Sequence, residues 1–232
     1  LASGQSQEVD GDREFLALNY QAAAAIYDSL LHTTTDSSAI LWRLARVHIC
    51  MGDVEEGDLS ARHYRQAEMY ARRSVQLDSM SSLTHTWYAA AIGSVALHEG
   101  GKTKVRIAHE VRRELDRAIA LNPNNDIAYS ILGSFYHALA GLSWIERQLA
   151  AIFVGHLPEG SYETGEEALK KAIELNPRAA RHYYELGLLY VDWDRPELAK
   201  QMLARVPLMP IAVARDIQNK ADAERRLAKL DK

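Results

Sequence analysis

LDRAIALNP (residues 115–123) and LKKAIELNP (residues 169–177) lie 54 positions apart in this 232-residue chain. Each sets leucine, alanine and isoleucine at helical spacing and then closes on Asn-Pro. The residue before a proline avoids the helical region, so each segment reads as a helix that stops at Asn-Pro. The same offset carries Tyr129 to Tyr183, Leu132 to Leu186, Gly133 to Gly187 and Tyr136 to Tyr190. One offset shared by two separate segments identifies a repeated unit of two helices. Gly133 and Gly187 fall mid-helix, where glycine costs about 1 kcal/mol against alanine. Close approach of a partner helix offsets that cost, and Ala118 and Ala172 supply the small residues on the second helices. Asp126 stands where the next helix needs an N-cap.

A period of about 34 residues is that of tetratricopeptide repeats, so the 54-residue offset holds one repeat plus an insertion of about 20 residues between Tyr136 and Leu169. Weaker copies lie upstream. Trp87, Ala90 and Ala91 open one repeat, which Leu115, Ala118 and Pro123 close. Trp42 and Ala45 open an earlier one, with Ala67, Ala71 and Leu77 on its second helix. Residues 13–31 read as a lone second-type helix before it. Residues 197–206 form the last repeat's second helix, and 212–230 a capping helix with a charged outer face. No stretch alternates as a strand would. The expected architecture is all-α: a tetratricopeptide-like superhelical solenoid of antiparallel helix pairs. It comprises a disordered leader (1–11) and one repeat domain (12–232). The repeats fall near 39–80, 84–124, 126–178 and 180–211, with a helical insertion at 142–162.

The net charge of −4 and the pI near 6.2 argue against nucleic acid as a main partner, because phosphate binding needs a basic surface. The single cysteine, Cys50, allows neither an internal disulfide nor a cysteine-based zinc cage. No apolar window is long enough to span a bilayer. The chain starts at Leu1, and its small, polar first residues fit a cleaved export signal or a trimmed terminus. The first would place it in the periplasm, the second in the cytoplasm.

Four stretches carry a family resemblance: HTWYAAAIGSVALHEG (85–100), ELDRAIALNP (114–123), AYSILGSFYHALAGLSWIERQLA (128–150) and EEALKKAIELNP (166–177). Together they resemble the regulator of microtubule dynamics family, tetratricopeptide-like proteins with bacterial and eukaryotic members. LSWIER (142–147), inside the insertion, is the part that generic repeats lack. The resemblance covers about residues 39–204. It implies an adaptor; eukaryotic members are associated with microtubules or the mitochondrial outer membrane, and organelle tethering and phospholipid binding are the roles it suggests.

Counting from the tryptophan and glycine landmarks gives the first-helix positions that line a concave groove. They are Ile40, Arg43, Val47 and Cys50, then His85, Tyr88, Ile92 and Val95. The third and fourth repeats add Ile127, Ser130, Ser134 and His137, then Arg181, Tyr184, Leu188 and Val191. Trp144, on the insertion's apolar stripe, stands where it closes the end of that wall. Arg43, Val47, Tyr88, Ile92, Ser134, His137, Trp144, Arg181, Tyr184 and Leu188 are the candidate site. The lysines and asparagines of peptide-carboxylate clamps are absent from these positions. The set suits an amphipathic protein segment, or a phospholipid or fatty acid with a polar head. The alternative is a structural solenoid whose groove the insertion or terminal helix fills, leaving partners to the outer surface.

ALHEGGKT (96–103) fits a loose phosphate-loop pattern, but that loop needs a preceding strand and here a helix precedes it. Lys102, Lys104, Arg106, Arg112 and Arg113 cluster beyond this turn, with Glu110, Glu114 and Asp116 among them. The cluster reads as a solvated face with ion pairs such as Arg106–Glu110 or Glu110–Arg113, or as a patch for anionic lipid or an acidic partner. None of the nine histidines forms HExxH, and no GxSxG elbow is present. Catalysis, cofactor and metal therefore have no support in the sequence.

Overall fold

The computed structural model describes residues 2–33, 37–143, 147–148, 150 and 157–231. The described residues are helical, with no strand among them, and the chain divides into two compact units, Leu1–Leu121 and Asn122–Lys232.

The N-terminal unit holds α1 (Ala2–Leu16), α2 (Tyr20–Leu31), α3 (Ser38–Gly52), α4 (Gly57–Leu77), α5 (Ser82–Glu99) and α6 (Gly101–Leu121). α3/α4 and α5/α6 are the first two repeats. Ala45, Ala67, Ala71, Ala91 and Ala118 are fully buried, the small residues that let paired helices close up. Residues 2–11, expected as a disordered leader, belong to helix α1. The expected single helix over 13–31 is two helices, broken where Leu18 takes a left-handed conformation (φ 63°) and Asn19 Nδ2 donates to Glu14 (2.9 Å). α1 is held by tertiary contact, which overrides the poor propensity of its glycines and serines. Gly11 lies against the Tyr27 ring, where a Cβ would clash, and Asp12 meets Tyr27, Arg43 and Arg46.

The C-terminal unit holds α7 (Asp126–Ala140), α8 (Tyr162–Leu175), α9 (Ala180–Asp192), α10 (Pro196–Leu203), a 3₁₀ turn (Val206–Leu208) and α11 (Arg215–Leu230). α7/α8 and α9/α10 are the third and fourth repeats. Gly133 and Gly165 face each other across α7 and α8. A Cβ on Gly133 would overlap Leu169 and lie 3.0 Å from the Gly165 carbonyl, and one on Gly165 would lie 3.2 Å from the Gly133 carbonyl. Gly187 meets Leu203 of α10 in the same way. Both landmark glycines are thus buried where helices cross, as their cost in a helix interior predicts. Leu169, Leu186, Leu189, Tyr190 and Ala199 form the core beside them.

The N-cap of α7 is Asn125, which accepts from the Ala128 N–H (3.0 Å); Asp126, expected in that role, accepts instead from His182 Nε2 and Asn176 Nδ2 (both 2.9 Å). Of the insertion, residues 144–146, 149 and 151–156 lie outside the described residues, and with them Trp144 and most of the expected apolar stripe. Arg147 is described. Its guanidinium donates to the carbonyls of Leu139 (2.6 Å) and Leu142 (3.3 Å), closing the C-terminus of α7 where cations are favoured. α11 begins three residues later than expected. Buried Asp216 accepts from the N–H groups of Ala212 (2.9 Å) and Val213 (3.1 Å), which fixes its entry.

Candidate functional site

In the C-terminal unit half of the expected groove positions, Ser134, His137, Arg181 and Leu188, fall in one strip, while Ser130 is buried and Val191 packs against α11. Ser134 and His137 sit one turn apart on α7. Arg181, Glu185, Leu188 and Asp192 recur at helical spacing on α9. Ser134 Oγ donates to Glu185 (3.0 Å), which also lies 4.0 Å from Arg181. His137 Nε2 donates to Asp192 (2.8 Å), whose carboxylate is largely exposed at 59%. Leu188 is half-buried between these pairs. The strip is therefore an apolar side chain flanked by carboxylates, with a guanidinium at one end. Glu185 and Asp192 were missed by counting packing positions. Their signal was available in the spacing Arg181, Glu185, Leu188 and Asp192, which puts all four on one helix face.

One edge of this strip is already occupied. Tyr184 donates its hydroxyl to Asp222 of α11 (2.8 Å), and Tyr184 and Val191 pack into a cluster with Ala223, Leu227 and Leu230 of α11. Burial and the carboxylate push the Tyr184 phenol up to about 12. Burial opposes ionisation of Asp222, but hydrogen bonds from Arg226, Arg225 and Tyr184 win and hold it down at about 2. At the strip's far end the Tyr162, Trp193 and Tyr190 rings stack in series (5.7 and 6.4 Å between centroids, nearly parallel), and His137 lies 6.0 Å from Tyr162.

The N-terminal unit corrects the expected groove. Val47 and Ile92 are core, at 0% and 2% exposure, and so are Ile40, Cys50 and Val95. Arg43 lies over Trp42 (4.4 Å) and donates to Asp12, so it serves the docking of α1. Tyr88 is buried too. Its hydroxyl donates to Glu110 of α6 (2.7 Å) while Arg72 of α4 lies 5.2 Å over its ring, so it faces the second helices. Landmark counting identifies buried stripes, but the two flanks of a stripe differ by a rotation that only packing fixes.

Several other perturbed groups belong to helix-to-helix pairs. Asp12 is drawn below the usual carboxylate range: burial opposes this, but the Tyr27 hydroxyl, Arg43 and Arg46 outweigh it. His85 bonds Glu114 through Nδ1 (2.6 Å) and the Ser79 carbonyl through Nε2 (3.0 Å). Both ring nitrogens then donate, which is the imidazolium form, and the Glu114 bond raises the His85 pKa against its burial. His48 and His63 meet nitrogen to nitrogen (3.0 Å), so one ring must stay neutral as acceptor. Among the described residues no three histidines, cysteines or carboxylates converge as a metal site. The turn at residues 96–103 joins two helices through Gly100 (φ 71°), without the strand a phosphate loop requires.

Antiparallel helix pairs repeating around facing glycines and alanines, closed by a terminal helix, define a tetratricopeptide-like repeat protein. Residues 10–231 match the family model described as Regulator of microtubule dynamics protein 1-3, and the chain belongs to that family. It is 29% identical over 201 residues to Regulator of microtubule dynamics protein 2 of Mus musculus, covering 84% of this chain and 47% of the relative. It is 24% identical over 233 residues to protein 1 of the same organism, covering 99% and 76%. The chain thus spans about half the length of the protein 2 relative. A crystal structure of a thermophilic TPR protein from Thermus thermophilus shares the fold (TM-score 0.68, 18% identity, 98% of both chains). Among the described residues no helix is long and apolar enough to cross a membrane.

Proposed function

We propose that the protein is a non-catalytic repeat adaptor, and that the α7/α9 strip takes a protein segment. The observation that carries this reading is the half-buried Leu188 set between carboxylates that already act as acceptors, Glu185 for Ser134 and Asp192 for His137. An apolar side chain of the segment packs on Leu188, and a basic neighbour takes the exposed Asp192 carboxylate. Arg181 then orients an acidic or backbone carbonyl group at the other end. The family and the repeat fold support an adaptor, and the pairing of the perturbed acids and bases between helices supports a structural use for them. The competing arrangement, a groove filled by the chain itself, is favoured at Tyr184, where α11 sits; that confines the proposed strip to its α7 side.

Selection of a displayed peptide library on the purified protein tests the reading. Enriched peptides should lose binding to Leu188→Asp and weaken on Arg181→Ala, with helicity unchanged by circular dichroism. If no peptide enriches, or if Leu188→Asp binds as wild type, the strip is not the site. A fatty acid or phospholipid carried by the wild type through native mass spectrometry, and lost in Leu188→Asp, would replace the protein segment with a lipid.

A further inference from the structure

The charge of the N-terminal unit is segregated. α4 and α6 carry ten of its thirteen lysines and arginines but only five of its sixteen acidic residues. In a chain of net charge −4 these two helices hold a net +5, and the rest of the unit is correspondingly acidic.

Four of the five acids on these helices are engaged. Glu68 accepts from Arg72 (2.7 Å), and Asp116 from Arg112 (2.8 Å). Glu110 accepts from Tyr88, and Glu114 from His85 and Arg113. Several cations are left over. Among the described residues no carboxylate pairs with Arg62, Lys104 or Arg106. Arg73 donates to the Gln76 amide oxygen (3.4 Å) and Arg117 to the Met80 sulfur (3.2 Å), neither to a carboxylate among the described residues. Tyr88 ties the two helices together, because its ring lies beneath Arg72 of α4 and its hydroxyl bonds Glu110 of α6, beside Arg113 (3.8 Å). On α4 an open depression of about 420 Å³ is lined by Arg65, Glu68, Met69, Arg72, Arg73 and Gln76. Met69 is 53% exposed in it, an apolar side chain ringed by guanidiniums.

We infer that the α4/α6 face docks an acidic segment of a partner protein, with an apolar side chain of that segment seated on Met69. Charge complementarity selects the occupant: the leftover cations take carboxylates, and desolvation of Met69 adds specificity for an apolar residue between them. A flat anionic membrane suits the face less well. It would press on Glu68, Glu110 and Asp116 together with the arginines, whereas a segment can run between them. Net negative charge elsewhere in the unit disfavours a polyanion as extended as nucleic acid. This surface is separate from the α7/α9 strip, so the two readings fail independently.

Fluorescence anisotropy on the full chain tests the inference. The probe is a labelled oligoglutamate peptide with one central leucine, compared with a central-serine version, an all-glutamine version, and vesicles of mixed phosphatidylserine and phosphatidylcholine. The glutamate–leucine peptide should bind more tightly than the glutamine version, and more weakly as salt rises. Charge reversal at the exposed Arg65, Arg73 and Arg106 (R65E/R73E/R106E) should weaken it at least about tenfold. Met69→Ser should erase the preference for leucine over serine. Leu188→Asp should bind as wild type. Equal affinity for the glutamate and glutamine peptides overturns the inference, as does binding that survives the triple reversal. Vesicle binding without peptide binding would assign the face to anionic membrane instead.

Discussion

Gly93 and Gly133 both sit inside long first helices, and replacing each with alanine should move stability in opposite directions. The propensity gain is the same for both, about 1 kcal/mol for removing a helix-interior glycine. The surroundings differ. A Cβ on Gly93 meets nothing within 4 Å. A Cβ on Gly133 overlaps Leu169 at its branch carbon and lies 3.0 Å from the Gly165 carbonyl oxygen. Neither neighbour gives way easily: Leu169 is fully buried among Leu186, Leu189 and Tyr190, and the carbonyl belongs to α8's backbone. Overpacking of this kind costs about 1–3 kcal/mol. Gly93→Ala should therefore stabilise the N-terminal unit by about 1 kcal/mol, and Gly133→Ala should destabilise the C-terminal unit by about 1–2 kcal/mol after the propensity gain is subtracted. Urea unfolding followed by circular dichroism reads the first, and fluorescence of Trp193 reports on the second. A double-mutant cycle sharpens the test. Leu169→Ala alone should cost about 2–5 kcal/mol, and in the Gly133→Ala background about 1–2 kcal/mol less, because there it also relieves the clash with the new Cβ. If Gly133→Ala matches or exceeds the wild type, the close approach of α7 and α8 is not set by that glycine, and the reasoning from repeat landmarks to packing fails.

Gly187→Leu should destabilise the C-terminal unit by about 1–3 kcal/mol or more, since Leu203 and its backbone N already fill the space, and a melting temperature equal to wild type would refute this. Asp12→Ala should cost about 2 kcal/mol and loosen α1, because Tyr27 and the largely buried Arg43 and Arg46 lose their shared acceptor; amide exchange no faster in residues 2–16 than in wild type would contradict it. The pH dependence follows from His48, whose pKa burial and the adjacent His63 lower from the ordinary 6.5 to about 4. As pH falls the unfolded chain takes up this proton first, so the contribution is complete above pH 6.5 and lost towards pH 4, by at most about 3 kcal/mol. His48→Gln should flatten that slope in chemical denaturation series, and an unchanged slope would assign the loss to other groups.

Much of the fold was legible because helix packing writes small residues at fixed intervals. The offset linking Gly133 to Gly187 marks two real crossings, and Asn-Pro marks the ends of α6 and α8. What stayed illegible was held by contacts remote in sequence. Residues 2–11 lack an apolar stripe and carry glycines, yet they form α1, because Asp12 finds two arginines more than thirty positions away. Local propensity contains no record of such a contact. Asp126 was misassigned for a related reason. Its carboxylate has two uses, an N-cap or a partner for His182, and the backbone turn at Asn125 decided between them.

The site divides along the same line. Residues whose role is to be buried were recognised as members of a stripe, but not which neighbour buries them. Tyr88 and Tyr184 occupy equivalent first-helix positions by count, yet Tyr88 gives its hydroxyl to a second helix and Tyr184 to the terminal helix α11. A phenol can reach a carboxylate on either flank of its helix, and the acceptor chosen, Glu110 or Asp222, fixes which flank is closed to a ligand. Those hydroxyls leave the Leu188 strip on α9 and the Met69 depression on α4 as the two surfaces we propose for partners. The cations of α6 were visible in the sequence as a cluster diluted by acids, whereas Arg65, Arg72 and Arg73 share a face with Met69 only once α4 is formed. Pairing the acids of that cluster with named partners, Glu110 with Tyr88, Glu114 with His85 and Asp116 with Arg112, shows that the dilution is local, while among the described residues Arg62, Lys104 and Arg106 have no carboxylate partner.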